Sequence, residues 1–329
     1  MALSTRRRLA VELERGGDLL SRTGAMAGKI ETSLAILNGV LGDYLARTGN
    51  GLATTSEVFA STASPAPLRL ERDALRRTLG DARPRLVVLL HGLMCNESIW
   101  KMPDGSDYGR RLAADLGFTP VYVRYNTGLP IAENGEQVAA LFSSLVAAYP
   151  GPVDEIVAIG HSMGGLVLRS ACHVARLEGS AWLPPLRRAI YLGTPHLGSP
   201  LERIGRAVTR VLEAVPDPYT RLVAEIADLR SRGIKDLGDG LRDERHPIPL
   251  LPEITHYLVA AHLSTDPWMA TLFGDSLVPV ASATNGLVAR VGAALPPDRV
   301  KVLPGSGHIG LAHDPQVYEL VRSWCGESP

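Results

Sequence analysis

Gly160-His161-Ser162-Met163-Gly164 places one hydroxyl between small residues, directly after the apolar run Ile156-Val157-Ala158-Ile159 and before a helical pattern beginning Gly165-Leu166-Val167-Leu168. A serine at the tip of a strand-to-helix turn sits in a strained backbone conformation, and its neighbours must be small to avoid the adjoining strand and helix. A serine hydroxyl is a weak nucleophile at neutral pH, so this arrangement calls for an adjacent base and for a carboxylate to orient it. The expected chain order is serine, acid, histidine, each following a strand. His308 closes Val302-Leu303-Pro304-Gly305-Ser306-Gly307-His308, a loop after the last apolar run, where Gly305 and Gly307 leave room for a tight approach to the serine. His313, at the start of the following helix, is its rival. For the acid, Asp275 in Gly274-Asp275-Ser276-Leu277-Val278-Pro279 leads, Asp266 is the alternative, and a turn-capping role for Asp275 is the plain structural reading. An oxyanion formed at Ser162 needs backbone donors. The amide of Met163 supplies one, and the loop His91-Gly92-Leu93 supplies the other through Leu93, with Met94 next in line. His91 reads as a residue that orients that loop, and His161 as structural.

The elements that must position these residues repeat along the chain. Leu86–Leu90, Val121–Val123, Ile156–Ile159, Ala189–Leu192, His256–Ala261 and Arg299–Leu303 are short apolar runs. Between the second and third, Val138, Leu141, Phe142, Leu145, Val146 and Tyr149 mark one helical face. Such alternation predicts a mostly parallel central sheet covered by helices on both faces, with its site beyond the carboxyl ends of the strands. Residues of about 198–250 interrupt the alternation. Helical spacing in Val208, Val211, Leu212 and in Leu222, Ile226, Leu229 predicts an insertion of two helices, read either as a cap over the site or as peripheral surface.

Residues 1 to about 47 read as helical, with Leu34, Leu37, Leu41 and Leu45 forming one apolar stripe that packs on the core. Residues 48–67 read as a connection with room for a short strand. The expected organisation is an N-terminal helical extension over 1–80 and a main domain over 81–329.

The totals narrow the function classes. Lys+Arg and Asp+Glu balance at 34 each, and aromatics make up only 5%, which argues against nucleic acid and anionic membranes as partners. Cys95, Cys172 and Cys325 form no C-x-x-C pair, and a reduced, cytoplasmic setting is the simplest expectation. The Arg6-Arg7-Arg8 start has no apolar stretch behind it, as a signal peptide would, and Ile30–Leu45 is too short and too polar for a membrane span. His173 and His196 lack partners at metal-ligand spacing, and no phosphate-binding glycine motif is present, so no metal and no cofactor are expected.

Taken together, Leu90-His91-Gly92-Leu93, Gly160–Leu166, Gly193-Thr194-Pro195-His196-Leu197-Gly198-Ser199, Gly274–Pro279 and Gly307-His308 resemble the α/β-hydrolase superfamily, and within it bacterial lipases and carboxylesterases. The Thr-Pro-His-x-Gly-Ser stretch is similar to the branch holding triacylglycerol lipases and lipase-like deacylases related to GPI inositol-deacylase. The resemblance covers about residues 85–325. It implies an α/β-hydrolase fold and a serine esterase with Ser162, Asp275 and His308 as triad, and it favours Asp275 over Asp266. The implied substrate is a small-molecule or lipid-like ester. Transfer of the acyl group to another acceptor, or cleavage of a thioester, would use the same residues, and a non-catalytic binding protein on this fold is the alternative from another class.

Overall fold

Strands buried on both faces lose every solvent-facing position, and their sequences become continuous apolar runs. The six runs form the six parallel strands of one sheet. In the computed structural model, which describes residues 24–64, 66–80, 82–196, 198, 231–239, 242–243, 246–262, 295–304 and 307–327, the elements in chain order are α1 (Gly24–Arg47), β1 (Glu57–Phe59), α2 (Arg72–Leu79), β2 (Arg85–Leu90), α3 (Tyr108–Leu116), β3 (Thr119–Arg124), α4 (Ile131–Ala148), β4 (Glu155–His161), α5 (Met163–Glu178), β5 (Leu186–Leu192), α6 (Arg232–Asp239), β6 (Arg242–Asp243), β7 (His246–Pro247), β8 (Thr255–His262), β9 (Val300–Pro304) and α7 (Pro315–Gly326).

The sheet order is β1-β3-β2-β4-β5-β8-β9. β1 is antiparallel to β3, pairing Glu57 with Arg124 and Phe59 with Tyr122, and every other neighbour is parallel. From β2 the chain runs outward to β3 and then returns to β4 on β2's other side. The carboxyl ends of β2 and β4 are therefore adjacent where the winding reverses, which is where open parallel sheets place their sites.

Alternate residues of each strand feed two cores. Leu86, Val88, Leu90, Ile156 and Ala158 face a core shared with α1, α4, α5 and α6. Val87, Leu89, Val157 and Ile159 face the other, shared with α3 and α7. Of the expected stripe in α1, Leu37, Leu41 and Leu45 are buried and Leu34 partly so, and Val40 joins them. Residues 57–59, within the stretch read as connection, form the edge strand.

At the amino ends of the strands, Glu155 on β4 is buried between two guanidinium groups. It accepts from Arg85 Nε at 2.6 Å and from Arg188 Nη1. Both arginines also reach the end of α7, Arg85 Nη2 donating to the Cys325 carbonyl at 3.1 Å and Arg188 Nη2 to the Glu327 carbonyl at 2.6 Å. The carboxyl end of α7 is thereby fixed to the sheet rim farthest from the serine.

Within 198–250, the described residues contain α6 and the two-stranded ribbon β6–β7, which the helical spacing did not anticipate. The two helices expected across Val208–Leu229, the start of the expected N-terminal helix, and both Asp266 and Asp275 lie outside the described residues. All three cysteines are free thiols; Cys172 and Cys325 are buried and Cys95 partly so. Among the described residues no helix is long and apolar enough to cross a membrane.

Candidate active site

β4 ends at His161, and the chain reverses into α5 through Ser162, which holds φ 52° and ψ −122°. A non-glycine residue there is strained, and packing must hold it. The Ser162 amide donates to the Leu192 carbonyl at 2.8 Å, and the Ser162 carbonyl accepts from the Gly165 amide at 3.1 Å. The flanking glycines are required by close approach. A Cβ on Gly160 would come within 2.6 Å of Gly165 Cα, and one on Gly164 within 2.5 Å of the Leu90 carbonyl oxygen.

Across this turn lies the loop after β9. His308 Nε2 is 2.8 Å from Ser162 Oγ, the geometry of a hydroxyl donating to a neutral imidazole. Desolvation by the packed chain pushes the His308 imidazole down to about 3, and the adjacent His161 pushes the same way. His308 is therefore held in the proton-accepting form. His313, its rival in the sequence, sits at the end of the 3₁₀ turn Gly310–Ala312, and the hydrogen bond to Ser162 Oγ is made by His308.

His161 has a part that the motif did not reveal. Its Nε2 donates to the His308 carbonyl at 2.9 Å, and the two rings lie 5.2 Å apart. Burial pushes this imidazole down to about 4, so it stays neutral with its proton on Nε2. The residue preceding Ser162 thus anchors the backbone of the histidine that meets the serine hydroxyl. No sequence signal gave this contact, because it joins positions 147 residues apart.

The loop after β2 packs against the same turn, since a Cβ on Gly92 would lie 3.0 Å from Ser162 Cβ. His91 is fully buried, stacked on Tyr125 at 4.4 Å, and its Nδ1 donates to the Gly92 carbonyl at 3.0 Å. Tyr125 Oη donates to the His91 carbonyl at 2.6 Å. Burial lowers His91 to about 4 and keeps it neutral, and with Nδ1 on the Gly92 carbonyl and Nε2 facing the Tyr125 amide at 3.4 Å both ring nitrogens are engaged in bracing the loop. Gly92 to Cys95 is a tight turn closed by the Cys95 amide on the Gly92 carbonyl at 3.2 Å, with Met94 at φ 60°. The Met94 amide donates to Thr127 Oγ1 at 3.2 Å. Among the described residues nothing accepts from the Leu93 amide. Met163 is the first residue of α5, where amides have no partner within the helix. Leu93 and Met163 thus offer two open backbone donors on the loop and turn that meet at Ser162.

A third loop, after β5, carries Thr194-Pro195-His196. His196 Nδ1 accepts from Arg169 Nη1 at 3.0 Å, tying this loop to α5, and Arg169 also donates to the Ile248 carbonyl. His196 is a support of α5. Among the described residues no group of three or more His, Cys, Asp or Glu side chains is placed to hold a metal ion.

A doubly wound parallel sheet with a strained serine at the end of its middle strand, in hydrogen-bond contact with a histidine from the last loop, defines a class of hydrolase scaffold. The chain matches the model of the Alpha/beta hydrolase family over residues 87–320 and belongs to that family. Over 146 residues it is 25% identical to GPI inositol-deacylase A of Yarrowia lipolytica, a match spanning 42% of this chain and only 13% of that protein. Among solved structures, the mature form of a Bacillus licheniformis lipase aligns with a TM-score of 0.50 and 17% identity, covering 75% of this chain and 95% of the lipase. The propeptide form of the same lipase aligns at 0.51 and 16% identity, covering 83% and 54%. At these identities the likeness is one of fold.

Proposed function

We propose that the protein is a serine carboxylic ester hydrolase that works through an acyl-enzyme. The observation that carries this reading is the 2.8 Å contact between His308 Nε2 and the hydroxyl of a serine held at φ 52°. Ser162 Oγ attacks the ester carbonyl while His308 takes its proton, and the resulting oxyanion is held by the Leu93 and Met163 amides. The tetrahedral adduct collapses, the C–O bond to the alcohol breaks, and His308 returns the proton to the departing alkoxide. Water then attacks the acyl-serine, giving its proton to His308, and the second collapse releases the carboxylic acid and restores Ser162. Asp275 is the carboxylate that holds the imidazole and offsets its charge during each transfer. The substrate is a small or lipid-like ester, in keeping with a family whose members include lipases and with the charge balance of the chain.

The test is hydrolysis of p-nitrophenyl butyrate at pH 8 by the wild type and by Ser162→Ala. The variant is expected to lose at least about a thousandfold in kcat. Equal rates from the two proteins would remove Ser162 as nucleophile and the esterase reading with it.

A further inference from the structure

The oxyanion loop adopts a backbone that its own sequence does not favour. Met94 occupies the third position of the Gly92–Cys95 turn at φ 60°, where glycine is the usual occupant. Something outside the loop must hold it. Two supports are visible, and both involve α1, which lies wholly before the family-matched residues 87–320.

The first support is direct. Gly39 of α1 packs onto Met94 so closely that an added Cβ would overlap Met94 Cγ and lie 3.3 Å from both its Cα and its amide nitrogen. The second runs through residues 126–128. Thr127 Oγ1 takes the Met94 amide, and its segment is seated on α1: Asn126 Nδ2 donates to the Gly42 carbonyl at 3.1 Å, and a Cβ on Gly128 would come within 2.7 Å of the Gly42 amide. Ser231 then locks the arrangement from the far side by donating to the Gly39 carbonyl at 2.6 Å. Gly28, in the same helix, meets nothing within 4 Å, so the close packing is confined to the part of α1 that faces the loop.

We propose that α1, through Gly39 and its seat for Thr127, is a positioning element for the oxyanion loop, holding Met94 in its left-handed conformation so that the Leu93 amide points at the Ser162 site. This rests on the esterase reading for its catalytic meaning. The helix would act through the loop and touch no substrate, so its removal should be felt in the chemical step.

The experiment compares Gly39→Ala with Gly28→Ala for ester turnover, thermal unfolding and amide hydrogen exchange in peptides covering residues 90–96. Complete loss of one oxyanion donor costs about a hundred- to a thousandfold in kcat; a misaimed one is expected to cost about tenfold, with KM within about twofold. Gly39→Ala should show that loss and faster exchange in 90–96, while Gly28→Ala shows neither. Combining Gly39→Ala with Met94→Ala removes the overlapped Cγ and should bring kcat back toward that of Met94→Ala alone. Wild-type kcat and exchange in Gly39→Ala would overturn the proposal, as would a loss that Met94→Ala leaves untouched. If Gly39→Ala fails to fold, Thr127→Val and Thr127→Ser decide: the valine variant should lose kcat and the serine variant, which keeps the hydroxyl, should retain it, and equal activity in both would overturn the proposal. If turnover proves independent of Ser162, the esterase reading fails by itself, and the exchange comparison still judges whether α1 holds the loop.

Discussion

The division of labour among histidines near Ser162 is set by their surroundings. His308, His161 and His91 are all pushed down by burial, but each has a different partner: a hydroxyl, a carbonyl on the opposite loop, and a carbonyl of its own loop. Burial, with the neighbouring His161 adding to it, lowers His308 to about 3, whereas a carboxylate beside an imidazole favours the charged ring and raises it. The acid limb of kcat/KM therefore reports the balance between the two, and the ordinary histidine value of about 6.5 does not fix where it falls. In the proposed triad Asp275 supplies that carboxylate, and replacing it with Asn would remove the raising influence. The limb of a kcat/KM profile from pH 4 to 9 is expected to move to lower pH, and kcat to fall by about 10⁴-fold. Asp266→Asn should leave the limb in place; the reverse pattern would reassign the acid. The strained turn at Ser162 and the approach of His308 to it were legible because strand, turn and glycine spacing reveal a local geometry. The structural task of His161 was not, since nothing in Gly-His-Ser names the loop its ring will reach.

The strands were legible for a simple reason: a two-sided core leaves them no polar positions. β1 was foreseen only as room for a short strand within 48–67, because three residues cannot display a period and Glu57-Val58-Phe59 are placed by pairing with β3. The placement of α1 was equally hidden. Its apolar stripe says that it packs, whereas Gly39 and Gly42 say where, and a glycine's meaning appears only with its neighbour. The charged residues at the start of the strands carried no signal of their own. Arg188 and Glu155 have side chains only 3% and 9% exposed, and their pairing spans β4 and β5. Breaking such a pair leaves a buried charge without its counterion, at a cost of about 3–5 kcal/mol. Glu155→Ala is expected to lose about that much in urea unfolding while keeping wild-type kcat, because Ser162 lies at the opposite end of the strand. Arg85→Ala should lose less, its side chain being 32% exposed. A loss under 1 kcal/mol for Glu155→Ala would mean that the rim holds α7 weakly.

For the molecule as a whole, four buried histidines besides His308 among the described residues make folding pH-dependent. His91, His161 and His256 are lowered to about 4 by burial, and His196 well below its ordinary value, also by burial. Burial holds each neutral, against any carbonyl that would favour the charged ring, as in His256, which donates to the Leu251 carbonyl and accepts from Tyr191 Oη. In the unfolded chain these rings protonate near pH 6.5, whereas in the folded chain they do not until about pH 4 or lower. The unfolded state therefore binds more protons in between, and stability falls as pH drops through that window, by up to about 1.4 kcal/mol per pH unit for each ring. The midpoint of thermal unfolding should be level above pH 7 and descend steadily from pH 6.5 to 4.5. A flat curve over that range would mean that the histidines are not enclosed as described.

The three thiols have a practical bearing. Burial raises Cys95, Cys172 and Cys325 to about 12, leaving almost no thiolate at neutral pH, and the thiolate is the form that reacts with alkylating reagents. Leu177, by contrast, is 75% exposed near the end of α5, the helix that follows Ser162. A cysteine introduced there would be the one readily labelled sulfur in the native chain, so a fluorophore or spin probe could be mounted on the nucleophile helix without first stripping out the natural cysteines.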